Sequence, residues 1–463
     1  MADILLTHGY FLFEDEKEAK IMKPYPTLGL LYISAYLRRA GFAVEIFDST
    51  FSSRAALFEK LQKGPKSVLG IYTNLTTRSA ALEIIAQARS HGWVVVLGGP
   101  EAANYPHEYI ERGAHVVVTG EGEETLAELL PEIARKGPHR LHGVRGTTFH
   151  EESGAVIVNP VRPQIESLDL LPWPDRGQID QARYVDVWRK HHGRGSVNLI
   201  TARGCPYKCN WCSHAVFGFS HRRRSYVDCA DELEHILASY HPDQVWYADD
   251  VFTIHHGWLH NYAAELKRRR LLAPFETISR ADRMMNEDVI RTLAEMGCYR
   301  IWIGSESGSQ RILDAMQRGV KVEQVEWTSK MAKRFGIEVG MFLMWGYDGE
   351  TVEDMQATID LVKKCDPEQF LTTVSYPIMN TGYFHRIADR VVLSKSWENS
   401  TDRDYAIRNR HSRNYYHHAD CWLRKEVAAY RASSSDPAMT VALNAEARAA
   451  KEAMLAAAHE VEA

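Results

Sequence analysis

Short apolar runs alternate with amphipathic stretches over the first 140 residues. Five runs rich in apolar and β-branched residues have the length of strands, and three stretches between them repeat apolar positions with helical spacing. The predicted strands cover residues 4–7, 44–47, 68–72, 93–97 and 115–119, and the predicted helices cover 28–39, 79–90 and 124–136. This alternation predicts an α/β domain with a doubly wound parallel sheet.

The alternation returns after residue 195, now with six predicted strands. They cover residues 197–201, 244–248, 275–278, 300–303, 338–345 and 370–375, with helical stretches between them. Six parallel strands are too few to close an eight-stranded barrel, so the pattern predicts a partial (β/α)6 barrel. The active site is then expected at the carboxyl ends of these strands.

The remaining segments complete a division of the chain into four parts. Residues 141–195 form a connector, with a predicted hairpin that turns at Ser153 and Gly154 and a proline-rich stretch after it. Residues 386–463 are predicted to be a helical cap and tail, rich in aromatic and basic side chains near their start. The four predicted parts are thus a Rossmann-like domain at 1–140, the connector at 141–195, the barrel at 196–385 and the cap at 386–463.

Composition indicates a soluble intracellular enzyme. The 463 residues carry a formal net charge of −5, and no apolar run is long enough for a membrane span or resembles a signal peptide. We therefore expect a cytoplasmic protein. The acidic balance and the absence of a known RNA module do not favour nucleic acid as a partner. All seven cysteines stand at or after position 205, which does not fit a disulfide framework.

Three of these cysteines, Cys205, Cys209 and Cys212, stand within eight residues of one another. A 4Fe-4S cluster usually takes four thiolates, so a loop with three leaves one iron open for another ligand. The alternative is a structural zinc ion held by the same sulfurs and His214, because three cysteines and one histidine close a tetrahedral zinc site. Zinc ligands usually come as two separated pairs, whereas these cysteines form one compact loop.

The C-x3-C-x2-C loop resembles the signature of the radical S-adenosylmethionine (radical SAM) superfamily. The resemblance implies that SAM chelates the open iron and is cleaved reductively to a 5′-deoxyadenosyl radical. Trp211 matches the aromatic position that lies along the adenine. Methylthiotransferases of tRNA share this loop but need three further cysteines upstream, and residues 1–204 contain none. One cluster is therefore expected.

Several strand ends of the predicted barrel match SAM-binding motifs of the same superfamily. The matches imply an amino-group contact after the second strand, a carboxylate clamp after the third, a ribose contact after the fourth and an adenine contact after the fifth. The residues concerned are Asp249 and Asp250, Arg280, Glu306 and Ser307, and Gly346. A surface salt bridge is the alternative for Arg280. The basic run at residues 222–225 indicates either a solvated surface or countercharge for an anionic ligand.

The order of parts resembles the cobalamin-dependent subfamily of radical SAM enzymes, whose N-terminal domain binds cobalamin. Glycine at strand ends is also common in ordinary turns, so the loops alone decide little. The resemblance implies cobalamin contacts from Thr27, Thr73, Asn74, Gly98, Gly99, Pro100, Glu101, Gly120, Glu121 and Gly122. The D-x-H-x-x-G motif of other cobalamin domains is missing around His8, so no histidine ligation of cobalt through that motif is expected.

The resemblance implies a 4Fe-4S cluster, SAM and cobalamin as cofactors, and methylation of an unactivated carbon of a small-molecule or natural-product substrate. A cyclase or ring-rearranging enzyme, like the anaerobic Mg-protoporphyrin ester cyclase, is the alternative, and a zinc-stabilised binding protein is an alternative of another class. Tyr376 and Asn380 are expected to face the substrate. The expected partner is an electron donor such as flavodoxin or ferredoxin.

Overall fold

The computed structural model describes residues 2–462, and the chain divides into two compact units. The first unit comprises the described residues up to Pro206 together with Ser213–Val245 and Ser396–Thr401. The second comprises Tyr207–Cys212, Trp246–Lys395 and the described residues from Asp402 onward. Each unit has a buried hydrophobic core of its own.

The sheet of the first unit confirms the predicted parallel arrangement and extends it. Its order is β2-β1-β3-β4-β5-β6-β7, in which β1 to β5 are parallel and the last two strands are antiparallel. The hairpin predicted around Ser153 is present, and it continues the sheet beyond the five predicted strands because its first strand pairs with β5. The strands are β1 Ile4–His8, β2 Val44–Phe47, β3 Val68–Tyr72, β4 Val94–Gly98, β5 Val116–Val118, β6 Thr147–His150 and β7 Val156–Val158.

Helices cover this sheet, and the three predicted ones appear as α2, α4 and α7. Leu30 and Leu37 of α2 pack with Leu129 of α7 and with strand residues in one buried core. The helices of the unit are α1 Glu16–Ile21, α2 Leu28–Arg39, α3 Arg54–Lys63, α4 Arg78–Ser90, α5 Pro100–Asn104, α6 Pro106–Glu111, α7 Gly122–Lys136, α8 Gln181–His192 and α9 Tyr226–Tyr240, and its remaining strands are β8 Ser196–Leu199, β9 Ala202–Arg203 and β10 Arg222–Arg223.

A short segment from late in the chain, Ser396–Thr401, belongs to the first unit. Its anchor is Arg78, the first residue of α4, whose side chain is buried. The Arg78 guanidinium donates to the carbonyl oxygens of Trp397 (3.3 Å) and Ser400 (2.9 Å) and pairs with the buried carboxylate of Glu101 at 2.5 Å. It also stacks on the rings of Tyr105 and Trp397. We call Ser396–Thr401 the strap.

The sheet of the second unit follows chain order. Strands β12, β13 and β14 each pair in parallel with the next strand along the chain, and β11 is the neighbour of β12. Together with β8, these strands correspond to the six predicted ones. The register slips between Gly304 and Glu306, at the carboxyl end of β13. The strands are β11 Gln244–Tyr247, β12 Phe275–Ser279, β13 Cys298–Glu306, β14 Glu338–Trp345, β15 Gln369–Val374, β16 Val391–Leu393 and β17 Tyr405–Ile407.

The C-terminal region is helical, as predicted. Tyr415, Tyr416 and Trp422 are buried in one cluster with Leu343 and Trp345 of β14, so the aromatic residues of this region form core. No helix in residues 2–462 is long and apolar enough to cross a membrane. The helices of the second unit are α10 His256–Arg269, α11 Glu287–Glu295, α12 Gln310–Ala315, α13 Val322–Arg334, α14 Val352–Cys365, α15 Gly382–Ile387, α16 Arg413–Ala432 and α17 Pro437–Ala456.

Replacing Arg78 is predicted to destabilise the first unit strongly. Arg78→Gln breaks a buried ion pair by removing the positive charge that Arg78 places on the carboxylate of Glu101, which costs on the order of 3–5 kcal/mol. The matched control is Lys63→Gln, which removes an exposed ion pair with Glu59 that contributes little to stability. Urea unfolding measures both variants, and equal losses of stability would contradict the role given to Arg78.

Candidate active site

The part of the cysteine loop that lies in the second unit places Cys209 among buried positive charges. Cys209 is 5% exposed, and its sulfur accepts from Nη1 of Arg318 at 3.6 Å and from Nη1 of Arg280 at 3.7 Å. A hydrogen bond from Cys212, followed by the charges of the two arginines, lowers the pKa of Cys209 to about 5. Thiolates are the form of cysteine that binds metal, so this environment suits an iron ligand.

Asn210, between these two cysteines, fixes the loop. Its backbone N–H donates to the carbonyl of Met316 (3.1 Å), and its side-chain amide donates to the carbonyl of Ala315 (3.0 Å). Its side-chain oxygen accepts from the Tyr347 hydroxyl (2.6 Å), and its backbone carbonyl accepts from the N–H of Tyr383 (2.7 Å). Sequence reasoning missed Asn210, although its position inside the cysteine spacing was a usable signal.

Arg280 is buried, so the surface salt bridge considered for it is wrong. Its guanidinium stacks on Tyr207, with 3.7 Å from Cζ to the ring centre, and donates to the carbonyl of Arg318 at 2.8 Å and to Asp282 at 2.9 Å. Arg318, which sequence reasoning also missed, donates to the carbonyl of Gly304 at 2.9 Å. Arg280 therefore binds the backbone of Arg318, and both guanidinium groups donate to the sulfur of Cys209.

Glu306 lies at the register slip of β13 with a left-handed backbone, at φ 57°. Such a conformation is uncommon for a residue other than glycine. Burial, followed by the nearby Cys209, raises the pKa of Glu306 to about 7, although Arg318 lies 3.8 Å away. Ser307 is also buried, and its hydroxyl contacts that of Thr358 at 3.2 Å. Of the two predicted ribose contacts, Glu306 is the one beside the charged residues around Cys209.

Gly346 follows β14, and its N–H donates to Oε2 of Glu350 at 2.6 Å. The other carboxylate oxygen of Glu350 is buried and has no hydrogen-bond partner among the described residues. Burial raises the pKa of Glu350 to about 8. The indole N–H of Trp345 is likewise buried without a partner. Unpartnered polar atoms of this kind fit a segment that receives a polar ligand.

The other predicted residues of the second unit are spread over several loops. Asp249 is buried and Asp250 is exposed, just after β11. Trp211 faces Arg318, with 6.0 Å from its ring centre to the guanidinium carbon. Tyr376 is half-buried, with the Arg403 guanidinium 5.6 Å from its ring centre, and Asn380 is exposed. The structure thus brings Trp211, Arg280 and Glu306 to the surroundings of Cys209.

In the first unit, two predicted cobalamin loops are tied to each other. The Thr73 hydroxyl donates to the carbonyl of Gly98 (3.0 Å) and accepts from the N–H of Ala102 (3.0 Å). Gly99 has φ 99°, and a Cβ there would collide with the carbonyl oxygen of Thr73. A Cβ on Gly98 would meet only Val118, at 3.9 Å. Gly99 is therefore required by the loop itself, whereas Gly98 leaves room for a ligand.

The remaining predicted cobalamin residues occupy loops or helix starts. Thr27 stands at the N-cap of α2, Pro100 begins α5, and the side chain of Asn74 accepts hydrogen bonds from Thr76 within its own loop. Around Gly120 the nearest atom to an added Cβ would lie 3.9 Å away. The carboxylates of Glu101 and Glu121 are in buried ion pairs, and Gly122 is the first residue of α7.

Comparisons with known proteins match both α/β parts of the chain. A family model for the Radical SAM superfamily matches residues 199–362, and one for the B12 binding domain matches residues 19–130. A curated relative is an uncharacterized methyltransferase of Pyrococcus horikoshii, 29% identical over 83% of this chain and 84% of its own length. The anaerobic magnesium-protoporphyrin IX monomethyl ester cyclase of Rubrivivax gelatinosus is 23% identical over 81% of this chain and 68% of its own.

A solved structure supports the fold over most of the chain. The radical S-adenosylmethionine methyltransferase TsrM from Kitasatospora setae, with cobalamin and a 4Fe-4S cluster bound, has a TM-score of 0.70. Its sequence identity is 22%, and the match covers 84% of this chain and 75% of TsrM. At this identity the similarity concerns the fold.

The two matched domains together define a radical SAM enzyme with a cobalamin-binding domain. The chain combines a radical SAM domain with a B12 binding domain, and its cofactors are a 4Fe-4S cluster, SAM and cobalamin. Among residues 2–462 no three histidine, cysteine or acidic side chains are grouped as ligands of a single metal ion. The cysteines of an iron–sulfur cluster bind different irons, so they need not converge on one point. The family assignment favours the cluster over the zinc alternative.

A pair of glycine variants should separate folding from cobalamin binding. Gly99→Ala places a side chain against the carbonyl of Thr73 at a left-handed φ, which should cost about 2 kcal/mol. Gly98→Ala should change stability by about 0.5 kcal/mol or less and weaken cobalamin binding, because its methyl group enters the open space. Chemical denaturation and an absorbance titration with hydroxocobalamin measure the two effects. Normal binding by Gly98→Ala would contradict the placement of the ligand there.

Glu350 is predicted to make stability depend on pH. Its pKa rises from 4.5 to about 8 in the folded state, so between these values the folded chain retains a proton that the unfolded chain has lost. Its contribution is therefore full below about pH 4.5 and is lost as the pH rises through about 8. Glu350→Gln should reduce the fall in unfolding free energy between about pH 5 and about pH 9 by a few kcal/mol. Glu353→Gln, an exposed change three residues further on in the first turn of α14, is the control, and equal pH profiles for both variants would refute the prediction.

Proposed function

We propose that this enzyme methylates an unactivated carbon of a small-molecule substrate by a radical mechanism. The observation that carries the proposal is that a chain with both cofactor domains aligns over 83% of its length with a methyltransferase. A 5′-deoxyadenosyl radical from SAM would remove a hydrogen atom, and cobalamin would supply the methyl group. The chain's own residues position these partners.

The proposed roles in the second unit follow from the surroundings of Cys209. Cys205, Cys209 and Cys212 would hold the cluster, and Arg280 and Arg318 would keep the Cys209 sulfur in the thiolate form because both donate to it. Glu306, in its fixed left-handed conformation, would accept hydrogen bonds from the ribose hydroxyls of SAM. Trp211 would line the adenine, and Asp249 and Asp250 would contact the amino group. Ser307 would support Glu306, since its hydroxyl is engaged with Thr358.

Gly346 would contribute to the SAM site through the course of its backbone and through its carbonyl oxygen. Its N–H is not available, because it already donates to Glu350. The carbonyl of Gly346 accepts from the Ser375 hydroxyl at 2.6 Å and retains a second lone pair. The adenine of SAM would therefore lie against a segment whose Gly346 N–H is already bound to the carboxylate of Glu350. Tyr376 and Asn380 remain the proposed substrate-facing residues.

In the first unit, the strand-end loops would hold cobalamin. Gly98 and Gly120 offer the open space, and Thr73, Gly99 and Glu101 would keep the loop around Gly98 in place. Thr27, Asn74, Pro100, Glu121 and Gly122 complete the proposed contact set. A histidine of the D-x-H-x-x-G type would not ligate the cobalt: the Nε2 atom of His8 instead lies 3.1 Å from Asp48.

The electron would come from a soluble donor such as flavodoxin or ferredoxin, and the proposed location is the cytoplasm. Cyclisation or ring rearrangement is the second candidate function. The cyclase relative that aligns over 81% of the chain is the observation in its favour. Both functions use the same cofactors, so the products distinguish them.

Product analysis tests the proposal. Methylation should consume two SAM molecules per turnover and yield S-adenosylhomocysteine together with 5′-deoxyadenosine, because one SAM renews the methyl group and the other gives the radical. Cyclisation yields 5′-deoxyadenosine without S-adenosylhomocysteine. Reconstituted enzyme, a low-potential reductant and pools of small-molecule extract, analysed by mass spectrometry, give the two counts.

Cys209→Ala tests the cluster assignment in the same assay, with Cys421→Ala as its matched control. The Cys209 variant is the informative one. It should abolish reductive cleavage of SAM, since it removes a cluster ligand. The control Cys421→Ala, at a half-buried cysteine, should leave cleavage unchanged, because Cys421 lies on α16 outside the cysteine loop. Cleavage retained by Cys209→Ala would refute the cluster assignment. Deoxyadenosine formed without S-adenosylhomocysteine at any substrate concentration would refute methylation.

A further inference from the structure

A buried network in the first unit joins the two predicted cofactor loops. Arg203 stands two residues before Cys205, and its guanidinium pairs with Glu121 at 2.7 Å and with Glu123 at 2.6 Å. Glu121 belongs to the strand-end loop assigned to cobalamin, and Glu123 lies in the first turn of α7, which starts from that loop. The side chains of Arg203, Glu121 and Glu123 are 7%, 4% and 4% exposed.

Glu121 is shared by two neighbouring arginines. Arg203 and Arg222 stand opposite each other in the antiparallel pair of β9 and β10. Like charges in that position repel, and Glu121 offsets the repulsion by taking one arginine on each carboxylate oxygen, both at 2.7 Å. Its Oε2 also accepts from the N–H of Ile165 at 2.9 Å. The Glu121 carboxylate is therefore fully used inside the protein and has little capacity left for a ligand.

The short path from Arg203 to Cys205 is constrained as well. Gly204 has φ 84°, and a Cβ there would lie 2.5 Å from the carbonyl oxygen of Ser220. The Arg203 guanidinium also stacks on the ring of Tyr32 in α2, 4.9 Å from its centre. Movement of the Glu121 loop would thus be passed to the backbone that carries Cys205 through Gly204 alone, which is packed closely against Ser220.

We propose that Arg203, with Glu121 and Glu123, acts as a positioning group that sets the spacing between the cobalamin loop and the first cysteine of the cluster loop. This inference rests on the proposed cofactor contacts but not on methylation, since cyclisation would need the same spacing. It revises the role of Glu121, whose carboxylate serves the link while its backbone remains near the ligand. It also explains part of the basic run at residues 222–225, since Arg222 faces Glu121 in the interior.

Magnetic interaction between the cofactors tests the spacing without any substrate. The reduced cluster and cob(II)alamin each carry an unpaired electron, so their EPR lines split by an amount that depends on their separation. The wild-type enzyme and the control Arg135→Gln, an exposed change on α7, should show one defined splitting. Arg203→Gln should broaden or lose it while iron and cobalamin still load. Arg203→Lys retains the positive charge but not the planar guanidinium that reaches both carboxylates, so it should recover part of the splitting.

Cobalamin affinity is the second measurement. Loss of two ordered carboxylate contacts should raise the hydroxocobalamin dissociation constant of Arg203→Gln about tenfold. Glu123→Gln removes one ion pair only, so it should fold even if Arg203→Gln fails to fold. It should show a smaller change in the EPR splitting and in the cobalamin dissociation constant. Unchanged splitting and affinity in both variants would overturn the inference, as would a wild-type enzyme without a defined splitting. A chain that shows the splitting but forms no S-adenosylhomocysteine would instead contradict methylation alone.

Discussion

The structure depends on the pairing of buried charge. Isolated ions are costly to bury, so each buried arginine must meet an acceptor that is equally fixed. Arg78 meets Glu101 and two backbone carbonyls, Arg203 meets Glu121 and Glu123, and Arg318 meets the carbonyl of Gly304 and the sulfur of Cys209. Each of these contacts joins segments that are distant in the chain. Charge pairing therefore helps to hold the loops assigned to the cofactors, in addition to the hydrogen bonds made by loop residues such as Thr73 and Asn210.

The elements of the fold could be predicted from the sequence because they follow from local patterns. Strand and helix periodicity gave the eleven predicted strands of the two α/β parts, and β14 matches its prediction residue for residue. The hairpin at residues 147–158 was also predictable from its turn. Its pairing with β5 was not predictable, because that pairing depends on which strand lies at the edge of the sheet. The periodicity of a sequence does not show which strand lies at an edge.

The candidate site likewise has residues that the sequence could predict and residues that it could not. Cysteine spacing and the residues at strand ends pointed to Cys209, Arg280 and Glu306, since parallel strands collect such residues at one edge. Arg318 was missed because it follows a helix in a stretch without a motif, and only tertiary contact brings it to Cys209. Glu121 was assigned from its place in a glycine loop, but its carboxylate turns toward Arg203. A loop position therefore identifies a neighbourhood, whereas the direction of a side chain depends on the partners that the fold supplies.

The strap has a consequence for the order in which the protein is made. Domains usually fold as they leave the ribosome, N-terminal first. Here the first unit includes residues 396–401, so the buried face around Arg78 cannot close until more than four fifths of the chain has been synthesised. Until then Arg78 has Glu101 but lacks the carbonyls of Trp397 and Ser400. The cobalamin domain would thus acquire its final stability late, after the barrel strands have already emerged.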